Sequence, residues 1–144
     1  MKDSETDIIK QLFAQQIRFE IISRDQDPKY DAKLQNIRTM WKDTFIKEKK
    51  VPYVDDYLWH VFSYGLTDFI EGDNATYELR QQFASQTVIF NEIGSYLLFC
   101  FDKIPIIEMK NYIDDVYVSH HNMKWTYVLP HDSPQMGPYF KYKS

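Results

Sequence analysis

Thr87-Val88-Ile89-Phe90-Asn91-Glu92-Ile93-Gly94-Ser95-Tyr96-Leu97-Leu98-Phe99-Cys100-Phe101 decides the fold class. Thr87 to Phe90 and Ser95 to Phe101 are short apolar runs, rich in β-branched and aromatic residues. They flank Asn91-Glu92-Ile93-Gly94, and the whole reads as a β-hairpin with a four-residue loop. Downstream, Asp115 to Ser119 and Lys124 to Leu129 bracket His120-His121-Asn122-Met123, which predicts a second hairpin. Upstream, Tyr57 to Tyr64 reads as a strong strand closed by Gly65. Ile17, Phe19 and Ile21 alternate with Arg18, Glu20 and Ile22 in a shorter one.

Helical periods lie between these runs. Ser4-Glu5-Thr6-Asp7 has the form of a capping box with Ser4 as the cap, and Ile8, Ile9, Leu12 and Phe13 follow at helical spacing, predicting a helix from Glu5 to Gln15. Asp27-Pro28 sets a capping acid before a first-turn proline and opens a helix from Lys29 to Lys49, striped by Leu34, Ile37, Trp41 and Phe45. The turn Glu71-Gly72-Asp73-Asn74 supplies the cap of a helix from Asn74 to Ala84, with Ala75, Leu79 and Phe83 along one side. Asp102 to Tyr112 is expected as a short helix.

Summed, the reading is α+β: a single, mainly antiparallel sheet of five or six strands with two or three helices packed on one face. Residues 1–144 make one domain, and 133–144 are expected to be largely irregular. Within that tail, Gly137 to Phe140 should be ordered, with Tyr139 or Phe140 against the sheet containing Trp59 and Trp125. Lys141 to Ser144 should fray.

The composition bounds the function. With 144 residues, 44% hydrophobic and 17% aromatic, the chain can bury a core without disulfide or metal. Its net charge is −4 and its lysines and arginines are scattered, which argues against free nucleic acid as a ligand and suits a basic protein partner. The charged N-terminus is not followed by an apolar h-region, and the longest apolar run, Tyr96 to Phe101, is too short to cross a bilayer. A cytoplasmic protein with no membrane attachment is the expectation.

Chemistry-bearing motifs are sparse. His60, His120, His121 and His131 show no His-Glu-x-x-His spacing, and adjacent His120 and His121 should diverge, so no metal and no cofactor are expected. Cys100 sits among Leu98, Phe99 and Phe101 and reads as a buried, inert thiol. No Gly-x-Ser-x-Gly or phosphate loop occurs. The pairs Asp55-Asp56 and Asp114-Asp115 read as solvated loop charges. No catalytic residue is assigned. A candidate polar pocket comprises His60, His131 and Asp132, and candidate partner anchors are Tyr53, Tyr57, Tyr139 and Tyr142.

Trp41-Lys42-Asp43-Thr44-Phe45, Leu58-Trp59-His60-Val61-Phe62-Ser63-Tyr64 with Glu71-Gly72, Trp125-Thr126-Tyr127-Val128 leading to His131, and Gly137-Pro138-Tyr139-Phe140 together resemble a family of small proteins, a domain of unknown function, from spore-forming Gram-positive bacteria. The resemblance covers most of the chain from residue 30 onward, and Asp132 matches an acidic position after the last histidine. It implies the architecture and carries no activity. The functional expectation is a non-enzymatic protein-interaction protein, of the immunity or antitoxin kind. An enzyme or small-ligand binder using the His/Asp pocket is the alternative.

Overall fold

The computed structural model describes residues 4–46, 58–59, 62, 68–108, 114–131 and 137–143. Among them are three helices, α1 (Glu5–Ala14), α2 (Tyr30–Phe45) and α3 (Asp73–Arg80). Seven strands accompany them: β1 (Phe19–Ile22), β2 (Ile70–Glu71), β3 (Thr87–Asn91), β4 (Leu97–Cys100), β5 (Val116–His120), β6 (Trp125–Leu129) and β7 (Tyr139–Tyr142). They form one antiparallel sheet in the order β1-β4-β3-β5-β6-β7-β2. The α+β class holds, with seven strands rather than five or six.

Both hairpins lie where the sequence places them, β3 on β4 and β5 on β6, and β3 also pairs with β5. Every residue of β3, β5 and β6 is buried, so both faces of the central sheet are covered. On one face Ile89, Leu98, Val116, Val118, Tyr127 and Phe140 meet Ile8 and Leu12 of α1 and Ala75 and Leu79 of α3. On the other, Val88, Phe90, Leu97, Tyr117, Val128 and Tyr139 meet Tyr30, Leu34, Trp41 and Phe45 of α2, with Leu58 and Phe62. Alternation along each strand divides its side chains between two cores. The helices therefore flank the sheet on both sides, not on one face as the sequence suggested.

Other expectations need correction. Leu58 and Trp59 lie in a turn and Phe62 is helical, its N–H bonded to the Trp59 carbonyl at 2.9 Å, so the described part of Tyr57–Tyr64 is not a strand. Leu58 and Phe62 are also four residues apart, a helical spacing, and a short apolar run does not discriminate the two periods. Residues 102–108 are not helical. Ser4 precedes α1 but its hydroxyl makes no cap, being drawn into a buried cluster. α2 begins at Tyr30, with Lys29 at the cap position and no side-chain cap bond, so Asp27 and Pro28 precede the first turn. Asp27 Oδ1 accepts the Lys29 N–H at 2.8 Å from outside the helix.

The tail is less irregular than expected. Tyr139–Tyr142 is a strand paired with both β6 and β2. Tyr139 stacks on Trp59 and Phe140 on Trp125, with ring centroids 6.4 and 5.8 Å apart, as the expected packing required. Lys141 and Tyr142 belong to the strand instead of fraying. Two buried rings, each stabilising by roughly 1.5–3 kcal/mol, carry their neighbours into the ladder.

Candidate functional site

His131 follows β6 and Asp115 precedes β5, so the antiparallel pair brings them together at one end of the sheet. Asp115 Oδ1 accepts the His131 backbone N–H at 2.7 Å and lies 2.8 Å from Nδ1 of the ring. Its other oxygen, Oδ2, accepts the indole N–H of Trp59 at 2.8 Å. A carboxylate oxygen accepts, so the ring donates through Nδ1–H. The histidine side chain is 42% exposed while that of Asp115 is 3% exposed. A buried acid thus orients a half-open base.

The cluster continues inward. The Trp59 backbone N–H donates to the Tyr117 hydroxyl at 3.0 Å, and that hydroxyl donates to Glu92. Glu92 also accepts the Leu58 N–H at 2.9 Å and a guanidinium N–H of Arg38 at 2.7 Å. Burial, then the Glu92 carboxylate, pushes the Tyr117 hydroxyl well above its usual value of 10 and keeps it a donor. Buried polar groups need partners, and here both carboxylates have several.

Asp114 and Asp115 are therefore not the solvated loop charges the sequence suggested; both are buried. Asp114 Oδ2 accepts from Ser4 Oγ and Asn91 Nδ2, each at 2.8 Å, and Tyr96 closes the cluster through the Ser4 hydroxyl. Asp114 Oδ1 has no hydrogen-bond partner among the described residues.

Of the predicted polar pocket, only His131 can be placed; His60 and Asp132 lie outside the described residues. The placed carboxylate partner of His131 is Asp115, which sequence reasoning missed. Of the predicted anchors, Tyr53 and Tyr57 also lie outside the described residues. Tyr139 is 2% exposed, buried between Trp59, Phe62 and Phe69, and its hydroxyl is pushed up to about 12, so it is no surface anchor. Tyr142 is 45% exposed and keeps that possibility. Cys100 is buried as expected, and desolvation pushes its thiol up to about 11 against a weak opposing contact from the Thr87 hydroxyl.

At the opposite end of the β5–β6 pair, His120 and His121 do not diverge; their rings lie 4.4 Å apart. His120 Nδ1 accepts the Asn122 N–H at 3.0 Å, and desolvation, then His121 and Lys124, hold the ring below its usual 6.5. It is neutral at pH 7, with its proton on Nε2. No group of three metal-ligating side chains occurs among the described residues, and no described helix is long and apolar enough to cross a membrane.

Neither a curated protein nor a solved structure matches this chain. A family profile does, over residues 13–140, which span both hairpins, α2, α3 and the histidine–aspartate pair. The chain belongs to the family described as a domain of unknown function, DUF4275.

Proposed function

We propose that this chain is a small, non-enzymatic cytoplasmic binding protein of a spore-forming Gram-positive bacterium, acting by stoichiometric occupation of a protein partner in the manner of an immunity protein or antitoxin. The supporting observation is a contrast between interior and surface. Asp115 and Glu92 are tied to internal donors and Cys100 is sealed in the core, whereas Phe13, Tyr77, Phe83 and Ile93 stand mostly in solvent. Tyrosine is enriched at binding hot spots, and Tyr77 and Tyr142 are both exposed. Tyr77 and Tyr142 are the anchors, and the net charge of −4 suits a basic partner.

Co-purification from the native host under several growth conditions tests the reading. A single stoichiometric partner should be recovered with the native chain and lost with Tyr77→Asp and Tyr142→Asp. No partner above background, or one retained by both variants, overturns it.

A His/Asp site is the second reading, favoured by the 2.8 Å contact between His131 Nδ1 and Asp115. A half-exposed imidazole held by a buried carboxylate is the arrangement that general-base chemistry uses. Titration of the His131 ring resonances with a fragment library checks it. Shifts that persist unchanged elsewhere in His131→Gln would remove it.

A further inference from the structure

A cleft of about 390 Å³ opens between the segment that follows α3 and the β5–β6 turn. Its origin lies in a mismatch between sequence pattern and helix length. Phe83 continues the apolar period of α3, but the helix ends at Arg80, and Phe83 is left 92% exposed at the rim. Trp125, buried on the sheet, and Tyr142 supply the other aromatic walls. The volume is at the small end for ligand sites, which run from about 300 to 1,000 Å³.

Lys124, His120 and Ser85 bring donors to the cleft, while Gln82 spends its amide N–H groups on the Glu78 carbonyl and the Tyr142 hydroxyl and contributes a carbonyl acceptor at the same wall. Lys124 carries an ammonium, which can only donate. His120 uses Nδ1 as an acceptor for the Asn122 N–H, so a neutral ring offers Nε2–H. Ser85 Oγ, in the wall, is cut off from solvent and has no hydrogen-bond partner among the described residues. An orphaned hydroxyl in a folded protein calls for a partner. Glu78 is engaged by the Tyr142 hydroxyl at 2.6 Å, and Gln82 Nε2 holds that same hydroxyl at 2.8 Å. A cationic donor at Lys124 and an imidazole N–H at His120, set among aromatic rings, define the complementary ligand.

We propose that this cleft binds a small aromatic anion, one ring or two fused rings bearing a carboxylate or phosphate. The ring packs against Trp125 and Tyr142 and is covered by Phe83. The acid accepts from Lys124 and His120 Nε2, and from the Ser85 hydroxyl once a change of its χ1 rotamer turns Oγ out of the wall. The site goes beyond the protein-partner reading and does not depend on it, because a free ligand is measured against the chain alone.

Calorimetric and amide chemical-shift titrations with indole-3-acetate and with adenosine monophosphate test it, with indole-3-acetamide and adenosine as the uncharged counterparts. At least one anion should bind with a Kd below about 1 mM, and its counterpart about tenfold or more weaker. Shifts should centre on Ser85, His120, Lys124 and Trp125. Lys124→Gln, at an exposed position, should weaken the anion about tenfold and leave the uncharged counterpart unchanged. Phe83→Ala should weaken both. Failure of both anions to bind, equal affinity for charged and uncharged forms, or shifts centred elsewhere would each overturn the proposal.

Discussion

The two ends of the β5–β6 pair each carry a histidine, and they are built on opposite terms. At the His131 end, Asp115 and Glu92 gather donors from Trp59, Leu58, Tyr117, Arg38 and the His131 backbone until both carboxylates are saturated. At the His120 end, Ser85 has no partner for its hydroxyl, and His120 turns Nδ1 inward to its own turn. One end uses polar groups to hold Leu58 and Trp59. The other leaves polar groups unspent beside exposed aromatics. Asp115 and Glu92 form a structural cluster, although Asp114 Oδ1 beside them has no partner among the described residues, and the unpaired donors at the other end mark a place for a ligand.

The sharpest way to break this contrast is Asp115→Ala. It removes the acceptor shared by the Trp59 indole N–H, the His131 backbone N–H and the His131 ring. Leaving a buried donor unpaired costs about 1–3 kcal/mol, so a loss of roughly 3 kcal/mol or more is expected in chemical denaturation. A loss below 1 kcal/mol would mean that the saturated end does not hold the fold. Gly94→Ala probes the loop beside the same cluster. Gly94 has φ +77°, an added Cβ would sit 3.0 Å from Leu34 Cδ2, and its carbonyl accepts from Tyr30 and Arg24. About 1–2 kcal/mol of destabilisation is expected from the left-handed backbone alone.

Much of this architecture is legible in the sequence, for local reasons. The two hairpins follow from turn chemistry next to β-rich runs, and α1 and α2 from apolar periods over several turns. Leu58 to Tyr64 is not legible, because Leu58, Trp59 and Phe62 suit either a pleat or a helical face and only their burial against α2 and β7 selects between them. The role of Asp115 is hidden for a different reason. Its partners Trp59 and His131 lie 56 and 16 residues away, and an acidic pair before a strand has no local sign of burial. Phe83 misleads in the opposite sense: periodicity assigns it to the core, yet α3 stops three residues before it. The cleft exists because of that disagreement, so no sequence pattern announces it.

The His120 end also carries a pH response. The folded-state value of His120 is lowered, first by desolvation and then by His121 and Lys124. A lowered folded value means that the unfolded chain takes up the proton first. Stability is fully present above the unfolded value of 6.5 and falls as pH drops through the folded value. Thermal midpoints measured from pH 7.5 down to 5 should decline, and His120→Gln should flatten part of that decline. An identical slope in the variant would show that the ring does not sense its surroundings as described.

The smallest expected effect is also the most discriminating. Ser85→Ala removes a hydroxyl that has no partner in the fold, so there is no hydrogen bond to lose. Taking away a buried polar group that is already unpaired is neutral or mildly favourable, and the stability should change by about 0 to 1 kcal/mol in the stabilising direction. The same truncation applied to Asp115, where three donors converge, moves the other way. Binding should respond in the opposite order. Ser85→Ala should weaken the aromatic anion measurably, while Asp115→Ala, if enough folded chain survives, should leave that affinity alone, since its cluster lies at the far end of β5. Denaturation and titration of the two variants side by side separate the possibilities. A Ser85→Ala chain destabilised by more than about 1 kcal/mol would mean that the hydroxyl has an internal partner. The two ends of the sheet would then be alike, and the cleft would lose one of its three donors.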